Sequence, residues 1–294
     1  MTLPGPAQGE AVTVWALLAA DVVAVFVTYS VLDPDELYNV SRDGVAGGAS
    51  RALVQLNFPV ALVALPLTLL ALAALPRRAW LVGAPALLCC AFVAVPGVVD
   101  ENDLDARPVN LVAAVGVALA LSLTVAASLR VGARSAPGDG RDRRRAVAAV
   151  VAVLISLPWL TAELGFHLPG GTILTDELYA EPGLPPTAAV HLGHHHGFAG
   201  TLFVLSALLL SRTAPTGAGL RRAYAALVSL ALVYGATNLV QDFWHEQVVK
   251  RGWTGWDVPT ALVPEPSVMW ALVLAGAALA YALGFARPQT VAER

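Results

Sequence analysis

The chain has 294 residues, 57% of them hydrophobic and only 13% charged, with a formal net charge of −3. A soluble domain carries roughly 25% charged residues, so a mean hydropathy of +0.67 speaks against a soluble fold. The charge balance gives no basic footprint for nucleic acid. Two adjacent cysteines, Cys89 and Cys90, form neither a metal spacing nor a disulfide framework and read as small packing residues.

The apolar residues are gathered into runs of about 20, the length a helix needs to cross a bilayer. Only helices and closed barrels satisfy every backbone group in lipid, and these runs lack the period of a barrel strand. The predicted class is therefore an all-α integral membrane protein of about eight transmembrane helices. In chain order the spans are expected at Ala11–Leu32, Ala52–Leu75, Trp80–Val99, Val109–Leu129, Ala146–Phe166, Ala188–Leu210, Ala223–Phe243 and Ser267–Phe285. Met1 to Gly9 has no basic residue, which argues against a cleaved signal peptide and makes the first run a true span.

Arginine and lysine set the orientation. Arg77, Arg78, Arg130, Arg134, Arg141, Arg143, Arg144, Arg145, Arg212, Arg221, Arg222, Arg287 and Arg294 fall on one side of the spans. Arg42, Arg51, Arg107, Lys250 and Arg251 fall on the other, 5 against 13. The first side is expected to be cytoplasmic, with both termini inside, in the plasma membrane. The Gly-, Pro- and Arg-rich stretch 135–145 reads as a cytoplasmic linker between halves 1–134 and 146–294. Asp35-Glu36-Leu37-Tyr38 recurs as Asp176-Glu177-Leu178-Tyr179, and the same offset aligns Glu101 with Asp242. Equivalent positions in both halves suggest two parallel four-helix repeats.

All six histidines lie on the predicted outer face: His167, His191, His194, His195, His196 and His245. Outward loops exclude Lys and Arg, which explains the many carboxylates there but not the histidines. Glu163 and His167, four apart, share a helix face at the end of the fifth span. Thr187 is the expected N-cap of the sixth helix, which places His191, His194 and His195 on one face and turns His196 elsewhere. On the seventh span Tyr234, Asn238, Gln241, Asp242 and His245 form a polar stripe beside Glu246. Such a stripe is costly against lipid and should face the bundle interior or a water-filled cavity.

Imidazoles and carboxylates brought together supply the donors that Zn, Fe or Cu require, and scarce Met and Cys disfavour Cu(I). The expected metal ligands are His167, His191, His194 or His195, and His245, helped by Glu163 or Asp242. Glu246 or Asp242 would be the general base on metal-bound water. Asp21 within the first span, and Gln55 and Asn57 in the second, are further intramembrane polar candidates. The segment holding Trp253 and Trp256 reads as an interfacial lid or re-entrant piece.

His191 to His195 reads HxxHH, which resembles one histidine box of the membrane fatty-acid desaturases and hydroxylases. Those families need several boxes on the cytoplasmic side, so the resemblance is not carried over to the chain. His245-Glu246 begins like HExxH, but Val249 stands where the second histidine belongs. The expected function is a metal-dependent membrane enzyme acting on a lipid or another hydrophobic small molecule. The rival is a transporter or channel for protons, metal ions or a small solute, and a third reading is a structural subunit of a membrane complex.

Overall fold

The computed structural model describes residues 7–32, 40–98, 104–163, 178–179, 187–188, 196–262 and 264–284. The apolar runs form helices α1 (Gly9–Val31), α2 (Gly44–Gln55), α3 (Ala61–Ala74), α4 (Trp80–Ala91), α5 (Asn110–Val131), α6 (Asp142–Glu163), α7 (His196–Leu210), α8 (Ala218–Trp244) and α9 (Val268–Gly284). Six helical segments are long and apolar enough to cross a membrane, among them the continuous stretches Gly44–Ala74 and Ala218–Val249. Val23, Leu81, Leu88, Leu129 and Leu154 stand exposed on their flanks. Apolar surface of this extent needs a lipid solvent. The described chain is overwhelmingly helical, with six segments that have the length and apolarity of membrane spans.

The second span differs most from expectation. It begins at Gly44, eight residues before the predicted Ala52, and is broken at Leu56–Val60 by a five-residue turn of π-helix. Proline at 59 has no N–H to give the helical ladder, and Phe58 adopts extended angles (φ −141°, ψ 118°). Asn57 Nδ2 repairs part of the break by donating to the carbonyls of Leu53 (2.9 Å) and Asn110 (3.1 Å). Asn57 thus fastens the kink to α5 and is a helix-pairing residue.

Thr187 is not a helix cap. Leu178–Tyr179 (β1) and Thr187–Ala188 (β2) form a short antiparallel ladder in which Tyr179 pairs with Thr187. Backbone pairing there takes the place of the predicted helix start, and α7 is described only from His196.

Packing links helices distant in sequence: α3 lies against α4, α5 and α8, and α1 against α2 and α7. At the kink, Phe58 meets Phe203 of α7 edge-on with ring centroids 5.4 Å apart. Phe203 meets Tyr234 of α8 at 5.3 Å, and Tyr234 stacks on Trp270 of α9 at 5.4 Å. Aromatic pairs in this geometry add about 0.5–1.5 kcal/mol beyond area burial. Cys90 is buried among these packed helices and both cysteines are free.

The basic end of the bundle is knitted together by charge. Glu10, buried at the start of α1, accepts the backbone N–H of Ala136 (2.9 Å) and faces Arg212 (3.5 Å). Arg145 pairs with Asp139 (2.6 Å) and Asp142 (2.8 Å) and donates to the Ser211 hydroxyl (2.9 Å). The stretch read as a linker is therefore held against both α1 and the α7–α8 turn.

Candidate functional site

The opposite end carries the candidate chemistry, and α8 organises it. Its polar stripe divides into two faces. Asn238 and Asp242, four apart and both buried, face α7. Tyr234, Gln241 and His245 face the non-helical segment that follows the helix.

On the first face, the Asp242 carboxylate accepts the backbone N–H of Gly197 at 2.7 Å. A negative group at a helix N-terminus satisfies an orphan donor and favours the helix dipole. The close approach depends on glycine. A methyl group at Gly197 would lie 2.7 Å from the Trp159 ring, and one at Gly200 would lie 2.6 Å from the carbonyl oxygen of Gly235. The α7 pair Gly197 and Gly200 therefore lets α6 and α8 close on the turn that follows the histidine run.

On the second face, residues 256–262 run back along α8 as a strap. Tyr234 donates to the Leu262 carbonyl (2.9 Å), Gln241 to Val258 (3.4 Å) and Trp244 to Trp256 (2.9 Å). These side chains satisfy carbonyls of the irregular strap that would otherwise lack a helical partner. Trp253 and Trp256 remain exposed. His245 Nδ1 lies 3.3 Å from Asp257 Oδ1 on the strap. A carboxylate on one ring nitrogen orients an imidazole so that the other nitrogen can bind a metal.

Glu246 lies in the π turn His245–Val249 that extends α8, buried, and forms an ion pair with the equally buried Lys250 at 2.8 Å. The ammonium occupies a carboxylate oxygen and competes with a role as base. Of the predicted ligands, His167, His191, His194 and His195 lie outside the described residues, and Glu163 is described only as the last residue of α6. Among the described residues no three His, Cys, Asp or Glu side chains converge as a metal site.

A second polar centre lies between α1 and α2. Asp21, Gln55 and Arg51 are only 6%, 3% and 7% exposed. Arg51 Nη1 donates to Gln55 Oε1 (2.9 Å), and Gln55 Nε2 donates to Asp21 Oδ2 (2.9 Å). The Arg51 guanidinium also sits over the Tyr29 ring, 5.4 Å from its centroid. Next to Arg51, the Ser50 hydroxyl accepts the N–H of Ala106 (2.7 Å) and lies 3.4 Å from Asp105, which in turn accepts from Ser41. The chain of contacts thus runs from the bundle end to Asp21, about 18 Å along α1 from its start. Asp21 also shares the buried face of α1 with Glu10, eleven residues earlier.

Arg51 escaped the sequence reading because its segment has the composition of a loop. The i, i+4 spacing of Arg51 and Gln55 was the available signal. Lys250 was likewise counted only as a loop charge. In comparisons with known protein families, curated proteins and solved structures, none matches this chain.

Proposed function

We propose that the chain is an eight-span protein of the plasma membrane, with its basic end cytoplasmic and its histidine-rich end extracytoplasmic. In this reading α7 and α9 are the sixth and eighth spans. The recurrent Asp-Glu-Leu-Tyr segments mark two parallel four-helix repeats. The protein acts as a metal-dependent enzyme on a lipid or another hydrophobic substrate that reaches the site from the membrane.

The observation that carries this reading is the contact between Asp242 and Gly197. It sets the acidic end of α8 against the residue that directly follows His194-His195-His196. His191, His194 or His195, His167 and His245 would be ligands, with Glu163 or Asp242 beside them. Asp257 orients His245 for that task. Zn, Fe or Cu suits such nitrogen and oxygen donors. Asp242, or Glu246 when released from Lys250, would take the proton of metal-bound water.

Cobalt substitution tests the reading. One equivalent of Co²⁺ added to chelator-treated, untagged protein is expected to give the visible bands of a nitrogen- and oxygen-ligated site. These bands should vanish in the double variant His191→Ala, His245→Ala. A wild-type protein that stays spectrally silent sinks the proposal.

The rival reading, a transporter or channel for protons, metal ions or a small solute, is favoured by one feature. The broken second span places a buried carboxylate–amide–guanidinium chain beside its kink, and interrupted helices are where transporters build their sites. Counter-ion-dependent uptake into liposomes, abolished by Asp21→Asn, would favour it over the enzyme.

A further inference from the structure

Charge is sorted unevenly at the basic end. Its described acids, Glu10, Asp139 and Asp142, are all taken up by two arginines, Arg145 and Arg212. Arg77, Arg78 and Arg130 are left exposed, and among the described residues no acid pairs with any of them. The helices that carry them supply none, since residues 52–98 and 106–138 contain no Asp or Glu.

Packing gathers these three cations. Leu75 and Ala79 flank Arg77-Arg78 in the α3–α4 turn, and Ala127 and Val131 flank Arg130 on α5. All four flanking residues belong to one packed cluster. Like charges held together without a counter-charge repel, and an anion placed among them removes that cost. Further from this end the surface turns apolar. Leu81 on α4 is 81% exposed and Leu129 on α5 is 83% exposed, with Leu88 and Val125 exposed beyond them. A soluble anion would use the arginines and leave the apolar surface bare. A phospholipid uses both.

We propose that the α3–α4 turn and the end of α5 form a binding site for an anionic phospholipid. Arg77, Arg78 and Arg130 hold the headgroup phosphate, and the acyl chains lie along α4 and α5. Guanidinium groups match phosphate with paired N–H donors, and basic clusters at the ends of spans recognise acidic headgroups. Trp80, exposed beside Arg78, adds an indole N–H for a headgroup oxygen. Arg143 and Arg144 are also exposed, but Asp139 and Asp142 stand in their own stretch of chain and offset them. The site needs no metal and no histidine. It rests on the membrane-spanning part of the reading above and not on its enzymology.

Native mass spectrometry of the full-length protein in detergent, titrated with phosphatidylglycerol or phosphatidylcholine, tests the site. An arginine near an anionic lipid is worth about a fivefold preference, so the wild type should favour phosphatidylglycerol by on the order of tenfold or more. The triple variant Arg77→Gln, Arg78→Gln, Arg130→Gln should bind the two lipids alike. The charge-matched variant Arg143→Gln, Arg144→Gln, Arg221→Gln should keep most of the preference. Arg130→Gln alone should lower it by about fivefold and serves if the first triple variant fails to fold. A wild type without preference, or equal losses in the two triple variants, would overturn the proposal. Inorganic phosphate at matched ionic strength should leave the bound lipid in place, and displacement would mean a soluble-anion site and overturn it too. Flotation with pure phosphatidylcholine vesicles separates the two readings. A protein that does not float refutes the membrane reading and the site together, whereas one that floats and binds both lipids alike refutes the site alone.

Discussion

Asp242 on α8 accepts the N–H of Gly197 on α7 at 2.7 Å, so one helix caps the first turn of another. Both residues are buried, and a lost charge-assisted bond at such a place costs about 1.5–3 kcal/mol. Asp242→Leu should therefore lower the apparent unfolding temperature in detergent clearly. Asp242→Asn, which keeps an acceptor oxygen, should lower it less. Equal transitions for wild type and Asp242→Leu would mean that the cap adds nothing.

The contact between α7 and α8 at Gly200 and Gly235 leaves no room for a side chain. Gly200→Ala forces two backbones apart and should cost about 1–3 kcal/mol. Gly219→Ala, in the same helix pair but in open space, should leave stability unchanged or slightly raised. Parallel thermal scans of the two variants check the contrast.

The strap is fastened to α8 by side chains. Tyr234→Phe removes the bond to the Leu262 carbonyl and keeps the ring between Phe203 and Trp270. The loss should be small, about 0.5–1.5 kcal/mol, but local. Hydrogen exchange is expected to rise within 256–262 and to stay unchanged at the kink of the second span.

At the basic end, the hydrogen bond from Arg145 holds the Asp139 carboxyl below its ordinary value of 3.8. A carboxyl lowered in the folded state stabilises fully above that ordinary value, and the gain fades as pH falls below it towards the folded value. Because Asp139 is largely exposed, the effect is small. Amide protection over 136–142, measured against the intrinsic exchange rate at each pH, should fall in this acid window in the wild type. Asp139→Asn should show low protection at every pH and lose the acid step.

The helices were legible because a bilayer demands long apolar runs, and α1, α5 and α9 begin and end within two residues of the expected positions. The head of α2 was hidden, since Gly44 to Arg51 has the composition of a loop. It becomes helical because its small residues let it lie along α1, a tertiary effect no local pattern reports. The stripe on α8 was readable as polar and inward-facing. Its division between Asp242, which holds α7, and Tyr234 and Gln241, which hold the strap, depends on neighbours distant in sequence. Arg51 reads in the sequence only as a charge outside the spans, because its seat over the Tyr29 ring depends on a helix distant in sequence.

In the proposed enzyme, the histidine run and the acidic end of α8 form one metal site. The most direct measurement is the metal content per chain of protein purified without a histidine tag, as wild type and as His191→Ala and His245→Ala. The account predicts close to one transition-metal ion per wild-type chain and a marked loss in each variant. Metal-free wild-type protein, or full occupancy in both variants, would contradict it.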